Sequence, residues 1–250
     1  MNLEFVHQKL RLLRNQKKFE EAFELAKQAL EGHPQLVHTV LDHHPIFWRN
    51  MRAGKCDLAR RNSQDSKFVR ELWANTDFIN NFHRLAPRLP ETDTQLASIL
   101  DSEYASTLSE AKAIHWIVRD KHQQPWGLMS LTEVSWAHQR AELLIGVLPN
   151  APMGLAPAAM LVLFQFYFKV MKFNKLVSLV YEDNMHSLKG ALHLGFKEEG
   201  NLKHHLRDPR TGAYVSIKQL GLFSEDAFSK GNAALCRRLL GAQALASRPL

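Results

Sequence analysis

Glu142-Leu143-Leu144-Ile145-Gly146-Val147-Leu148-Pro149, then a short loop, then Gly154-Leu155-Ala156-Pro157, is the stretch on which the fold turns. The first eight residues read as a strand closed by proline. Residues 157–172 are largely apolar and read as a helix. A strand that feeds a glycine turn at a helix N-terminus presents unpaired N–H groups and the positive end of a helix dipole, a combination that holds a pyrophosphate. Pro157 suits the first helical turn, where a missing N–H costs nothing. Glycine also occurs in such turns for geometry alone, so the stretch acquires meaning only with its surroundings.

Upstream, residues 113–118 and 126–134 have strand character and, with 142–148, form an antiparallel meander. Polar turns separate them at Lys121-His122-Gln123-Gln124 and Ala137-His138-Gln139-Arg140. Residues 55–60 make a first strand, and residues 68–73, 78–85 and 96–100 show helical periodicity, punctuated by Pro87 and Pro90. Downstream come a buried strand at 176–181 and a short helix at 187–194 stopped by Gly195. Strands at 197–207 and 213–222 flank the turn Asp208-Pro209-Arg210-Thr211-Gly212. A terminal helix is expected beyond Ser229, with a loose end over 244–250.

Residues 5–30 give two amphipathic helices broken near Asn15-Gln16-Lys17 and ended by His33-Pro34. Phe19, Ala22, Ala26, Ala29-Leu30 and Pro34 resemble the second half of one tetratricopeptide repeat, where small residues let paired helices pack closely. A lone repeat cannot bury its own apolar face. It is therefore a hairpin packed on the main body or an arm that docks a partner. The chain divides into a helical hairpin (1–50), a main domain (51–228) and a C-terminal helix and tail (229–250). His43 and His44 lack a set of ligand partners, so no metal is expected.

The 250 residues suffice for a full core, and 45% hydrophobic with 23% charged residues is ordinary for a globular chain. A net charge of +7 favours acidic partners, with its basic residues scattered rather than gathered into one run. Nucleic acid is disfavoured on that scatter. Cys56 and Cys236 are too few for a disulfide framework, which suits a reducing cytoplasm. The N-terminus lacks a signal-peptide pattern, and the apolar run 160–171 falls short of the roughly 20 residues that span a bilayer. The expectation is neither secretion nor membrane insertion.

The second decisive segment is Asn184-Met185-His186-Ser187, followed by Leu194-Gly195-Phe196-Lys197-Glu198-Glu199-Gly200. A strand, Asn-x-x-Ser, a short helix, Gly-Phe and Glu-Gly resemble the GNAT acetyltransferase superfamily, in particular the branch that acetylates ribosomal-protein N-termini and related small amines. The resemblance implies an α/β (α+β) fold: a mixed, mostly antiparallel central sheet flanked by helices, here preceded by the helical hairpin. It implies acetyl-CoA as cosubstrate, with Val147 and Leu148 bonding the pantetheine through their backbones. Met153, Gly154, Leu155, Ala156 and Pro157 would cradle the pyrophosphate. Asn184 and Ser187 match positions near the thioester and pantetheine, and Ser187 is implied as proton donor to the departing thiolate, beside its reading as a helix cap. Two positions depart from the pattern. Ala151 stands where the family usually has Gln or Arg, three residues before the loop glycine. Ala191 stands where many members carry a tyrosine acid.

Acyl transfer to an amine needs a neutral amine, an oriented thioester and stabilisation of the oxyanion. Glu142 opens the strand leading to the cofactor turn and Glu133 lies near the end of the preceding strand, so either can receive the proton. His204 and His205 follow the Glu-Gly element in the region where resembled enzymes place a carboxylate base, and strand alternation lets only one face the site. The expectation is an N-acetyltransferase acting by direct attack in a ternary complex on a protein N-terminus, an amino sugar or a small amine. A homodimer is compatible with it. Two competitors stand beside it: transfer of longer acyl chains from an acidic acyl carrier protein, and a binding module of the same fold that has lost catalysis.

Overall fold

A computed structural model describes residues 2–241 of the chain; the tail expected over 244–250 lies outside them. Where one strand is expected at 55–60, the chain makes a hairpin of β1 (Met51–Ala53) and β2 (Cys56–Arg60). Gly54 sits at its turn with φ of 55°, and a Cβ there would collide with the Leu239 carbonyl. Glycine is required on both counts. Helices α5 (Ser66–Ala74), α6 (Thr76–Phe82) and α7 (Asp93–Ala105) follow; Asn75 and Thr92 cap the last two with side-chain oxygens. Strands β3 (Ile114–Asp120), β4 (Pro125–Ser135) and β5 (Arg140–Val147) form the expected meander.

Helix α8 (Leu155–Phe164) starts two residues earlier than its sequence period suggests. It passes into a π-helical turn at Gln165–Val170 instead of running on as α-helix. It is apolar all round and buried nearly all round, as such a helix must be. After it come β6 (Lys175–Tyr181), α9 (Met185–His193), β7 (Lys197–Arg207), β8 (Tyr214–Phe223), α10 (Ser224–Ala227) and α11 (Lys230–Leu240). The eight strands form one sheet in the order β1-β2-β3-β4-β5-β6-β8-β7, antiparallel except between β5 and β6. Side-chain alternation sends Trp116, Met129, Ala141 and Leu143 to the face covered by α8, and Ile117, Leu128 and Gly146 to the face covered by α5, α6 and α7. No helix among the described residues is long and apolar enough to cross a membrane.

The N-terminal helices α1 (Leu3–Asn15) and α2 (Phe19–Gly32) pack as an antiparallel pair around Val6, Leu10, Leu13, Ala22, Ala26 and Ala29, followed by α3 (Val37–Asp42) and α4 (Pro45–Trp48). The joint to the sheet is α4. Phe47 and Trp48 enter the main core, and Phe19 stacks on Trp48 at 6.1 Å. The buried Arg60 guanidinium lies 4.0 Å from the centre of the Phe47 ring and 5.0 Å from those of Trp48 and Tyr104. Such contacts hold a cation where no carboxylate reaches it. Asp42 accepts from the backbone N and the hydroxyl of Ser109, both at 2.7 Å, tying α3 to the chain before β3. His44 Nδ1 accepts from the Ile46 N–H at 3.2 Å, and burial pushes His43 and His44 down to about 4. Both are neutral parts of the joint.

Removing the residues before Pro34 therefore strips Phe19 from Trp48 while leaving the sheet intact. The truncated protein is expected to melt at lower temperature yet keep most of its turnover per folded molecule. Calorimetry paired with active-site titration measures both quantities. Unchanged melting with loss of a protein acceptor would instead assign the hairpin to partner docking.

Candidate active site in the splayed sheet

Strands β5 and β6 pair for only three residues, Arg140 with Lys175, Ala141 with Leu176 and Glu142 with Val177. Each then continues, β5 held by β4 as far as Val147 and β6 by β8 as far as Tyr181. The two diverge into a wedge with Glu142 at its apex. Registers fix which backbone groups line it. The Leu148 N–H donates to the Trp126 carbonyl at 2.8 Å, so by strand alternation the even residues of β5 bond to β4. The odd residues Leu143, Ile145 and Val147 turn their N–H and C=O groups into the wedge. The Ser178 hydroxyl donates to the Leu143 carbonyl at 3.3 Å, and beyond it Ile145 and Val147 have no register partner on β6. Unpaired strand edges of this kind accept an extended, amide-bearing ligand.

At the open end of β5 the chain turns into α8. Gly154 has φ of 84° and caps the helix without a side chain, Leu155 donates to the Pro152 carbonyl, and Pro157 has no N–H. Among the described residues the N–H groups of Met153, Gly154 and Ala156 meet no backbone acceptor. Free donors at the positive end of a buried helix fit a pyrophosphate.

Helix α6 spans the opposite face. Phe78 and Phe82 stack at 5.3 Å over Gly146, where a Cβ would stand 2.8 Å from the Phe78 ring. Beyond the helix, the Arg84 N–H donates to the Tyr181 hydroxyl at 2.9 Å and its guanidinium grips Asp183 at 2.6 Å. The segment thus touches both arms of the wedge. Between the arms on this face lies Glu142. Burial pushes its carboxyl above the ordinary value, nearby Glu133 adds to the rise, and Arg140 offsets part of it. Burial also raises Tyr181, keeping the phenol protonated and able to donate.

A family model described as an acetyltransferase (GNAT) domain matches residues 58–197. The chain belongs to that family. A crystal structure of spermidine N-acetyltransferase from Vibrio cholerae in complex with CoA and spermine is similar with a TM-score of 0.61 and 19% identity, covering 70% of this chain and 99% of that one. The dodecameric structure of the same enzyme in an intermediate state is similar with a TM-score of 0.58 and 19% identity, covering 70% and 98%. At such identity the likeness is one of fold. No curated protein matches the chain.

Within the GNAT fold, the residues singled out from sequence fall in several places. Val147, Met153, Gly154, Leu155, Ala156 and Pro157 line the wedge and its helix mouth. Leu148 stands just beyond, but its N–H is taken by Trp126 and its carbonyl by Ala151. Ile145 has the free backbone instead, a difference that needs the pairing register and is invisible in composition. Asn184 is buried as the cap of α9, accepting from the Ser187 N–H at 3.1 Å, and Ser187 sits in the first turn. Glu133 has φ of 50° at a bulge between Thr132 and Ser135. His204 lies elsewhere, exposed on the edge strand β7, stacked on Tyr214 at 6.2 Å and two strands from β6. Its φ of 51° falls within the register shift between Leu202 and Leu206, so simple alternation does not apply to the His204–His205 pair. Among the described residues no group of His, Cys, Asp and Glu is placed to hold a metal ion.

Gly154→Glu puts a carboxylate in the cradle, forces a side chain into a left-handed position and presses it on Leu239, whose Cδ2 is 3.1 Å from the Cβ position. CoA binding is expected to vanish in a variant that still melts cooperatively. Unchanged affinity by calorimetry would remove the cradle assignment.

Proposed function

We propose that this protein is an N-acetyltransferase that passes an acetyl group from acetyl-CoA to a primary amine within a ternary complex. The observation that carries the reading is the wedge itself: a parallel pair that separates after three residues, with unpaired backbone on β5 leading straight to the bare N-terminus of α8. Acetyl-CoA supplies the activated acetyl group. Ile145 and Val147 hold its pantetheine arm, and Met153 to Ala156 hold its pyrophosphate. The amine enters from the α6 face, under Phe78 and Phe82, and Glu142 at the apex accepts its proton directly or through water.

Two carboxylates, Glu133 and Glu142, stand on the acceptor side and interact with each other. They favour a cationic amine over an acidic protein acceptor or acyl carrier protein. The Vibrio cholerae enzyme bound to spermine, a polyamine, supports the same direction. Turnover of acetyl-CoA across a panel of small amines, polyamines and peptide N-termini tests it. Absence of both CoA binding and turnover would overturn it in favour of an inactive binding module.

Glu142 as base predicts a specific pH profile. A general base works deprotonated, so kcat/KM falls as pH drops through its pKa, and burial places that limb above the usual glutamate range. Glu142→Gln should lower turnover by about 10²-fold to 10⁴-fold and abolish the limb. The sign for stability is opposite. A carboxyl whose folded pKa is raised binds protons better when folded, so ionising it costs stability as pH rises through that range, and Gln removes the cost. The variant should melt no lower than wild type at neutral pH. A profile unchanged in Glu142→Gln would move the base to another group.

Ser187 tests the proton on its other side. Ala191 removes the usual phenol, so Ser187→Ala should slow the chemical step while leaving CoA affinity nearly intact, since its backbone N–H, not its hydroxyl, serves the Asn184 cap. Single-turnover rates equal to wild type would reduce the hydroxyl to a bystander.

A further inference from the structure

The joint between the N-terminal helices and the sheet holds a cation that the wedge does not use. Arg60 and Trp116 are register partners on β2 and β3. Leu58 and Trp116 belong to the core beneath α8, so alternation turns Arg60 to the same face. Its side chain is buried. Nη2 donates to the Glu103 carbonyl at 3.3 Å, while Nε and Nη1 meet no acceptor among the described residues. The Trp116 indole N–H, fully buried, meets none either. One aromatic frame joins the two side chains: Phe47 lies 4.0 Å from the Arg60 guanidinium and stacks on Phe166 at 6.3 Å, and Phe166 meets the Trp116 ring at 5.8 Å.

Ring faces attract a cation but do not accept from all its N–H groups, and a buried donor without an acceptor carries its full desolvation penalty. The charge is uncompensated as well. Glu103 spends its carboxylate on Arg61, and Arg14, 5.2 Å from the centre of the Trp48 ring, brings a second positive charge to the joint. Burial pulls the Arg60 guanidinium down to about 10, Tyr104 offsets part of the fall and Arg14 adds to it, so the group stays a cation at neutral pH. Orphaned donors in a positive field call for an acceptor that carries negative charge. Phe47 meets Trp48 edge to face, as Phe166 meets Trp116, and the positive edges of such rings tolerate an anion. Enclosure selects a small monovalent ion, because a divalent anion costs far more to strip of water. A water molecule would satisfy the donors and leave the charge unanswered.

We propose that Arg60 and Trp116 bind a chloride ion inside the aromatic joint, where the anion fastens the N-terminal helices to the sheet. The site lies away from the wedge and does not depend on the acetyltransferase reading.

Thermal melting of the full chain in sodium chloride, sodium bromide and sodium gluconate, with gluconate holding the ionic strength constant, tests it on wild type, Arg60→Met and Trp116→Phe. Wild type should melt higher as halide replaces gluconate, saturably, by about 3–6 °C once halide exceeds its dissociation constant tenfold. Arg60→Met should lose the dependence, and Trp116→Phe should need several-fold more halide for half the rise. A halide response equal in wild type and Arg60→Met is a general salt effect and overturns the proposal. Wild type that melts alike in halide and gluconate overturns it too and gives the donors to water. A flat Arg60→Met beside an unchanged Trp116→Phe supports the ion on Arg60 and strikes the indole from the site. Should Arg60→Met not fold, bromide-soaked crystals of wild type decide: an anomalous peak between Arg60 and Trp116 supports the site, and its absence overturns it. Turnover is not read in any arm, so failure here leaves the acetyltransferase reading standing.

Discussion

The early end of the β5–β6 ladder is the constraint on which the molecule depends. A parallel pair in a closed sheet would continue along both strands, because each unpaired N–H or C=O left in the interior carries a desolvation penalty. Here the chain holds each strand from its outer side and lets the inner edges part. Strand β5 is anchored by seven register pairs to β4, and β6 by seven to β8, against three across the divide. The outer ladders hold both strands beyond the point where they part. The apolar α8 beneath one face and α6 across the other set its depth. The wedge is therefore a property of the whole sheet, and no loop has to be ordered to form it.

Sequence periodicity shows the sheet well and its pairing poorly. Alternation in β3, β4 and β5, the turn at Asp208 to Gly212, and glycine at 154 and 195 each have a local cause, so each can be read from neighbouring residues. The β1–β2 hairpin is missed because Met51–Ala53 is only three residues long, and its turn is shaped by a contact with Leu239, distant in sequence. The π-helical turn at Gln165–Val170 has no local signature, since a buried apolar helix presents no face whose period can slip visibly. At the site, the glycine-helix junction is legible. The exchange of Leu148 for Ile145 as a free backbone position depends on register across two strands, and the distance of His204 from the wedge depends on the strand order β6-β8-β7. Neither is encoded within a short window.

The parts flanking the matched domain attach differently, for a physical reason. The N-terminal helices bury their alanines and leucines mostly against one another and reach the main core through Phe47 and Trp48. Their contribution passes through an aromatic joint around Arg60 and through the bonds of Asp42 to Ser109. Helix α11 has no core of its own. Cys236 and Leu240 complete the main core directly, and its end lies against Gly54 and Gly154. One flank is separable from the site in principle; the other is part of its wall.

Charge completes the logic of the two faces. A net charge of +7 spread over a scattered surface does not name a partner, but position does. At the end of the sheet where α8 begins, Lys55 follows Gly54 in the turn that packs on Leu239, beside a helix N-terminus, a field that suits a polyanion. On the α6 face stands Glu142, its carboxyl raised by burial and further by nearby Glu133, a field that suits a cation. On the proposed function, an acetyl donor carrying several phosphates and an acceptor amine would be sorted to opposite sides of the same wedge. The acceptor side also has to discharge its cation, because an ammonium is not a nucleophile. On the proposed function, a carboxylate held above its ordinary pKa is the better proton acceptor for that step, and Glu142 stands where the β5–β6 pairing ends. The apex of the wedge thus fixes both where the strands part and how basic the group standing there becomes.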